Sequence, residues 1–178
     1  MSKLSRPRDV QPVLSILSSR WDRIWPCIRG DIEEIFGSIE YISEEIPFVE
    51  TSYYDRELGV PIYRRVFSFE SLVPPDSLVE LKIKTNALEE EFSDAQGRRL
   101  FNLDPGILSL ERFVLATGKE YTHRIYLGRG VWADLTLIFQ KGNWVSLPWT
   151  YPDYGGKRLK EILFSIRERY KEKLRKLR

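Results

Sequence analysis

Cysteine and histidine each occur once in this chain, and its one methionine is Met1. The single Cys27 excludes an internal disulfide and any zinc site built from several cysteines, and the single His123 excludes a cluster of histidine ligands. No apolar stretch approaches the length of a membrane span, and Met1–Val10 lacks the apolar core of a signal peptide. These absences predict a soluble, cytoplasmic protein with no membrane partner.

An excess of one charge is also lacking, because 28 basic and 26 acidic residues leave a net charge of +2. Composition alone therefore does not demand a polyanionic partner. The chain has 178 residues, of which 42% are hydrophobic and 13% aromatic, and this predicts one compact domain over residues 1–178. The 30% of charged residues and the scarcity of Cys and Met are typical of a heat-adapted, thermophilic host.

The common catalytic and nucleotide-binding motifs are missing. The sequence contains no GxGxxG, HExxH or GxSxG. Ala116-Thr117-Gly118-Lys119 resembles a phosphate-binding loop, but the upstream glycine is absent and Glu120 stands where that motif has Ser or Thr. No reaction can be assigned from motifs.

The first half of the chain predicts a ferredoxin-like βαββαβ unit over residues 10–103, and hence an α+β fold. Alternating or continuous apolar runs predict its strands at Val10–Leu17, Ile39–Ser43, Pro61–Phe69 and Arg99–Leu103. Apolar residues at helical spacing predict one helix from Ser19 to Gly37 and a second after Pro74-Pro75-Asp76.

The second half, residues 104–178, predicts an antiparallel β-meander that extends the sheet. Asp104-Pro105-Gly106 has the composition of a tight turn, and Ser109–Thr117 reads as a short helix ended by Gly118. Three β-rich runs follow, and Lys157–Arg178 carries an apolar stripe at helical spacing. We expect that last helix to close the domain.

The register of the meander follows from its two glycine-ended loops, Gly128-Arg129-Gly130 and Gln140-Lys141-Gly142. If both are three-residue hairpin loops, one face carries the pairs Leu127–Val131, Ile125–Ala133, His123–Leu135, Leu137–Val145 and Leu135–Leu147. The other face carries Tyr126–Trp132, Arg124–Asp134 and Thr122–Thr136, which are favourable cross-strand neighbours. The apolar face should be the core face, with His123 at the end of its row.

Several segments together carry a resemblance, namely TSYYDRELG, RRVFSFESL, KIKTNALEEEF, RLFNLDPGIL, VLATGKEYTHRIYLGRGVWADLTLIF and WTYPDY. They are similar to the bacterial family designated domain of unknown function 4416 (DUF4416), over nearly the whole chain. The family favours Met where this chain has Leu58 and Glu where it has Asp134. The resemblance implies no particular activity, so the search for a site rests on the residues themselves.

Polar side chains collect at the predicted strand ends and turns, and if the strands share a sheet they can line one cleft. Its predicted members are Arg65, Asn102, Asp104, Lys119 and His123, with Tyr154 as a lid. Guanidinium and ammonium groups would bind a phosphate, and Asp104 with Asp153 could hold a hydrated Mg²⁺. His123 and Asp104 are the candidate catalytic groups, since histidine titrates near neutral pH.

Each of these residues also has a structural explanation. His123 could be a hydrogen-bonded core residue, Arg124 with Asp134 a cross-strand ion pair, and Asn102 with Asp104 the organisers of a turn. For each residue alone the structural role is favoured, and only the set as a whole points to a ligand.

The leading hypothesis is therefore an enzyme or binding protein for a small anionic ligand, either phosphorylated or a nucleotide. The alternative is an RNA-associated module that uses the basic stretch Arg167–Arg178, and a scaffolding subunit is a third possibility. The oligomeric state is not fixed by the sequence.

Overall fold

The computed structural model describes residues 3–177. Met1 and Ser2, of the segment Met1–Val10, and Arg178, the last residue of the predicted helix Lys157–Arg178, lie outside it. Within that range the chain forms nine strands and five α-helices. The strands are β1 (Gln11–Ser18), β2 (Ile39–Ile42), β3 (Ile46–Pro47), β4 (Tyr63–Phe69), β5 (Asn102–Leu108), β6 (Arg112–Thr117), β7 (Arg124–Gly128), β8 (Val131–Gln140) and β9 (Asn143–Ser146). The helices are α1 (Trp21–Phe36), α2 (Asp55–Leu58), α3 (Leu78–Glu91), α4 (Pro152–Gly155) and α5 (Lys157–Lys176), with a 3-10 turn at Pro75–Ser77 before α3.

All strands belong to one antiparallel sheet, which confirms the predicted α+β class. Its order is β2-β4-β1-β5-β6-β8-β7, with β3 beside β4 and β9 beside β8. The elements β1, α1, β2, β4, α3 and β5 follow one another in the predicted order. No helix within residues 3–177 combines the length and the apolar composition that crossing a membrane requires.

One face of the sheet, here called the helix face, packs against α1 and α3. Helix α1 buries Trp21, Ile24, Ile28, Ile32 and Phe36, a spacing of three or four residues that puts them on one side of the helix. They meet Leu14 and Ile16 of β1 and Phe67 and Phe69 of β4 in one core cluster. As predicted, α1 ends before Gly37, which has φ 87°.

The opposite face, here called the cavity face, is partly covered by α5. The predicted apolar stripe of α5 buries Leu159, Ile162, Leu163, Ile166 and Tyr170. These residues pack on Val13, Leu108 and Phe113 of the sheet. The remaining part of the cavity face is covered by the segment before α2 and by α4, and this is where polar side chains are found.

The prediction of a tight turn at Asp104-Pro105-Gly106 is wrong, because all three residues lie inside β5 and pair with β1. Proline is tolerated in a strand where its missing N–H faces no partner. Leu103 directs its N–H away from β1, and Pro105, two residues further along, has the same orientation. In the described chain β6 pairs with β5 only from Gly106 onward, so Pro105 breaks no ladder hydrogen bond.

The predicted helix over Ser109–Thr117 is also wrong. Ser109–Arg112 forms a hairpin turn, in which the Ser109 N–H donates to the Arg112 carbonyl at 2.9 Å, and β6 follows. Phe113 belongs to the core of the cavity face, whereas Val114 packs in a cluster on the other side with Leu78 of α3. A strand that is apolar on both faces has no period-two signal, so it resembles a buried helix in sequence.

The meander is confirmed for its first hairpin, where Arg124 pairs with Asp134, Ile125 with Ala133 and Tyr126 with Trp132. The loops themselves differ from the prediction, since each has two residues, Arg129-Gly130 and Lys141-Gly142, all with positive φ. Such turns match the twist of the flanking strands. Gly128 instead of Leu127 therefore pairs with Val131, and Ser146 instead of Val145 pairs with Leu137.

The assignment of faces in the meander is only partly right. An irregularity in the pairing of β6 with β8 places Thr136 as an extra residue on β8, a bulge that interrupts strict alternation. Asp134 and Thr136 are buried, whereas Ile125 of the edge strand β7 is 68% exposed. Asp134 and Thr136 of the polar row therefore point inward. Of the predicted core row, Val131 and Leu137 are buried, whereas Ile125, Leu127 and Val145 are exposed.

Candidate functional site

A cavity of about 740 Å³ lies on the cavity face where β5 and β6 separate. Gly106 and Leu115 form the last paired residues, and in the described chain Asn102–Pro105 has no partner on β6. The walls come from Phe48–Tyr54, the α3 residues Lys82, Asn86 and Glu89, and Tyr151–Tyr154 around α4. The separated strand ends, with polar groups on every side, make this the candidate site.

Where β6 no longer pairs with β5, two side chains of α3 provide hydrogen bonds to the β5 backbone. The Leu103 N–H donates to the Glu89 carboxylate, and Lys82 Nζ donates to the Leu103 carbonyl at 3.3 Å. Both side chains are buried, and burial raises the pKa of Glu89. The backbone N–H and C=O of Leu103 are thus hydrogen-bonded to Glu89 and Lys82, which also line the cavity.

The cavity lining carries five basic and six acidic side chains. The basic ones are Arg64, Lys82, Arg99, Lys119 and Arg124, and the acidic ones are Glu50, Glu89, Glu90, Asp104, Asp134 and Asp153. Most of the buried charges form pairs within the protein. The charges that remain unpaired define what the site can bind.

Arg64 is buried in the cavity wall with only 3% of its surface exposed. Its Nη2 donates to Asp153 Oδ2 at 2.5 Å, which ties β4 to α4. The guanidinium lies over the rings of Phe48 and Tyr154, with centroid distances of 5.2 and 4.7 Å. Among residues 3–177, Arg64 Nε and Nη1 have no hydrogen-bond partner, so donors remain for a ligand.

Asp104 is held by a chain of polar contacts that begins at Glu57. Arg99 donates to both Glu57 oxygens, at 2.6 and 2.8 Å, and these bonds lower the pKa of Glu57. Arg99 Nη1 also donates to Asn102 Oδ1 at 2.8 Å, and Asn102 Nδ2 donates to Asp104 Oδ2 at 2.8 Å. The chain fixes the Asp104 carboxylate at the cavity wall.

Asp134 forms a separate, mostly buried cluster at the wall of the cavity. Its Oδ2 contacts His123 Nε2 at 3.0 Å and accepts from Arg124 Nε at 2.9 Å, and Arg124 also donates to the Tyr151 hydroxyl at 2.6 Å. The His123 ring stacks on Trp149 at 4.9 Å. These contacts hold β7 and the Tyr151 segment together.

Tyrosines and one lysine form the rim and the inner wall. Lys119 Nζ contacts the Tyr53 hydroxyl at 3.4 Å and lies 5.0 Å from the centroid of the Tyr53 ring. Burial raises the pKa of Tyr54 and of Tyr154, so both keep their protons at neutral pH. The mouth of the cavity therefore carries an exposed ammonium, and its interior carries neutral hydroxyls.

The structure brings four of the six predicted site residues into the cavity lining, namely Asn102, Asp104, Lys119 and Tyr154. Tyr154 is a buried part of the wall, so the predicted lid is wrong. Arg65 lies on the helix face, where it pairs with Glu45 at 2.6 Å and covers the Trp21 ring at 5.0 Å. His123 stands behind Asp134, and the catalytic assignment of His123 and Asp104 stays a prediction.

Sequence reasoning selected Arg65 for the site and missed its neighbour Arg64. Arg64 alternates with Val66 on the cavity face, whereas Arg65 alternates with Phe67 and Phe69, which belong to the helix-face core. This alternation along β4 is a sequence signal that could have identified Arg64 as the residue on the cavity face. The roles of Glu89 and Arg99 had no comparable signal, because they depend on how α3 approaches the separated strand.

Within the described residues, no group of three or more His, Cys, Asp or Glu side chains is arranged to hold a metal ion. Asp153, one of the two predicted Mg²⁺ ligands, is paired with Arg64. The side chains of the cavity thus offer donors and acceptors for an organic ligand.

Comparison with known proteins found no match among curated proteins and none among solved structures. A family model described as Domain of unknown function (DUF4416) matches residues 8–170, which include every cavity residue and most of α5. The chain therefore belongs to the DUF4416 family.

Proposed function

We propose that this protein binds a small anionic ligand, either phosphorylated or a nucleotide, in the cavity between β5 and β6, and that it does so in the cytoplasm. The observation that carries the proposal is Arg64, a buried guanidinium in the cavity wall with two nitrogens that lack a partner in the described chain. Leaving buried donors unsatisfied costs about 1–3 kcal/mol. A ligand oxygen that accepts from them would remove that cost.

Lys82 supports the same conclusion. It is 9% exposed and lines the cavity, yet its ammonium donates to a single carbonyl, at 3.3 Å. Among residues 3–177 no carboxylate lies within salt-bridge distance of it, and the Glu89 carboxylate acts on its charge only from further away, so two of its three donors are available. A buried ammonium without a direct ion pair is expensive, and an anionic ligand would provide one. Lys119 at the rim adds a second ammonium that can attract the ligand.

The test is an NMR titration of the amide resonances with ethyl phosphate, a small phosphate monoester. We expect shifts at Lys82, Asn102–Asp104 and Gly118–Lys119, because these residues surround the cavity. Lys82→Gln should abolish them, since the amide is polar but uncharged and does not reach as far as the ammonium. Lys84→Gln, on the exposed side of α3, is the matched control and should titrate like the wild type.

Two results would count against the proposal. One is the absence of shifts with ethyl phosphate and also with AMP, which presents its phosphate on a nucleoside. The other is a set of shifts that stays undiminished in Lys82→Gln, because the ligand would then not use the buried ammonium of the cavity.

The basic residues of α5 support the RNA alternative less well. Lys173 Nζ donates to Gln11 Oε1 at 2.7 Å and to the Phe69 carbonyl at 2.6 Å. Arg167 Nε donates to the Leu110 carbonyl at 2.9 Å. Two of the basic residues in this stretch therefore attach the helix to the rest of the domain, which favours the small ligand over RNA.

We also propose that β1, α1, β2, β4, α3 and β5 form a ferredoxin-like unit. The support is the strand order β2-β4-β1-β5 with antiparallel neighbours, together with the two helices on one face. In this arrangement β6–β9 extend the sheet beyond its β5 edge, and the cavity forms where that extension diverges.

A further inference from the structure

We propose that the ligand is dipolar, carrying a protonated amine in addition to its anionic group, and that the Asp104 carboxylate binds the amine. This inference rests on the proposed function, because the same cavity holds both groups. It narrows the ligand to small zwitterionic molecules with an anion and an ammonium group.

The first observation is that Asp104 forms no direct ion pair, although the charge of Arg64 acts on it from beyond salt-bridge distance. Asp153 pairs with Arg64, Asp134 pairs with Arg124, and Glu89 pairs with Arg99 at 3.1 Å. Asp104 receives only the neutral amide of Asn102, and within residues 3–177 no Lys, Arg or His nitrogen lies within salt-bridge distance of it. A partly buried carboxylate at a cavity wall without a cation is an unfilled binding position for a cation.

The second observation is that Asp104 is positioned by other side chains. Arg99 orients Asn102, and Asn102 binds Oδ2 of Asp104, so only Oδ1 is left without a hydrogen bond among the described residues. A carboxylate held in this way presents its free oxygen in one direction at no further conformational cost. Such positioning is expected of a group that binds a ligand.

The third observation is the charge balance of the lining, where six acidic side chains face five basic ones. When all of these groups are ionised, the lining carries one negative charge in excess. A ligand with negative charge alone would therefore meet Asp104 as a repulsive group, while a ligand with both charges would satisfy Lys82 and Asp104 together. Charge complementarity thus favours a zwitterion.

The experiment measures binding of matched phosphate esters by calorimetry. Aminoethyl, aminopropyl and aminobutyl phosphate are compared with ethyl, propyl and butyl phosphate, which share the anion and the chain but lack the amine. At least one amine ester should bind about tenfold more tightly than its alkyl counterpart, as one charged hydrogen bond predicts. Three chain lengths are used so that the spacing between the two charges does not decide the result.

Asp104→Asn should bring that ratio close to one, because the amide has no charge to attract the ammonium. The variant is isosteric and keeps an oxygen for Asn102, so the fold should be retained. Asp22→Asn, on the exposed side of α1, makes the same change away from the cavity and should keep the wild-type ratio.

The two proposals fail in different ways. If the alkyl phosphates bind and the amine confers no advantage at any chain length, the dipolar ligand is wrong and the anion site stands. If hydroxyethyl phosphate gains as much as aminoethyl phosphate, Asp104 recognises a hydroxyl and the proposal is likewise wrong. If no ester binds at all, the proposed function itself has failed.

Discussion

Asp134 illustrates how single buried charges are neutralised in this protein. Its carboxylate contacts Arg124 and His123 through Oδ2, and the Thr136 hydroxyl lies 3.3 Å from Oδ1. A buried carboxylate is stable only when its oxygens are paired. The single histidine of the chain is used here as one of those partners.

We therefore expect His123→Asn to lower the free energy of unfolding by about 1–2 kcal/mol, since it weakens a hydrogen bond to a charged group and removes the stacking on Trp149. Urea denaturation measures this loss. Binding of ethyl phosphate should change little, because His123 does not line the cavity. Lost binding with unchanged stability would show that His123 is a site residue after all.

Gly106 is required by close packing between β5 and β6. A Cβ atom there would lie 2.9 Å from the Val114 carbonyl oxygen and 3.0 Å from the Phe113 ring. Gly106→Ala should therefore destabilise the protein by about 1–3 kcal/mol, the usual cost of overpacking. The measurement is the urea midpoint at constant slope.

The same substitution at Gly30 of α1 is the control for this prediction. A Cβ atom at Gly30 would meet nothing within 4 Å beyond the backbone of its own helix, so Gly30→Ala should stabilise the helix by up to about 1 kcal/mol. Opposite signs at the two positions are expected. If both substitutions changed the free energy of unfolding equally, backbone entropy and not steric space would determine the result at both positions.

Among the elements, the two hairpin turns have the most specific backbone requirements. Arg129 and Lys141 have φ of 52° and 48°, and the glycines that follow have φ of 79° and 82°. Positive φ at both central residues defines the turn type in which Asn-Gly is the preferred pair. Each turn here has a basic residue where Asn would be more favourable.

Gly142→Val should thus cost about 1–2 kcal/mol, because a β-branched residue is strained in the left-handed region. Lys141→Asn should act in the opposite direction and raise the melting temperature slightly, since Asn tolerates that region. Differential scanning calorimetry measures both changes. A Gly142→Val protein as stable as the wild type would contradict the assigned turn.

The elements differ in how far their sequences determine them. Helices α1 and α5 were predictable, because one-sided burial leaves a clear helical period in the sequence. Strands β1 and β4 are buried on both faces and were predicted as short apolar runs next to turn or capping residues, whereas β6, which is also apolar on both faces, was predicted as a helix. The register of the second hairpin was missed because its loop is shorter by one residue than predicted. The bulge at Thr136, which changes the alternation of β8 beside β6, is likewise not visible in composition.

For the whole molecule, the attachment of α5 to the sheet joins the end of the chain to its beginning. Lys173 Nζ contacts Gln11 of β1, the Phe69 carbonyl of β4 and, at 2.9 Å, Glu40 of β2. One ammonium thereby links the last helix to three strands of the sheet. The core beneath α5 depends on that helix staying in place.

Lys173→Met should lower the free energy of unfolding by about 2 kcal/mol, because the hydrogen bonds of a charged group to Gln11 and Phe69 and its ion pair with Glu40 are lost. Lys176→Met, one turn away on the exposed side, should have little effect. Far-ultraviolet circular dichroism and tryptophan fluorescence should report coincident transitions if the sheet and α5 unfold together. A separate early transition in fluorescence would mean that α5 detaches by itself.

The candidate site was only partly predictable, because it depends on the arrangement of the whole molecule. Asn102, Asp104 and Lys119 could be selected because they are polar residues at strand ends. The cavity itself arises because β6 diverges from β5 and α3 fills the gap, and a divergence of two strands leaves no local pattern in the sequence. Its inner wall, with Lys82, Glu89 and Arg64, follows from that three-dimensional arrangement.

The separated strands have one more consequence, which concerns hydrogen exchange. The Leu103 N–H is bonded to the Glu89 side chain, whereas Ile107, on the same side of β5, is paired with Val114 of β6. Exchange of the Leu103 amide with deuterium should therefore need only a rotation of Glu89, while exchange at Ile107 needs the sheet to open. Leu103 should exchange faster than Ile107, and a bound ligand should slow it selectively. One amide thus provides a natural reporter of the occupancy of the cavity.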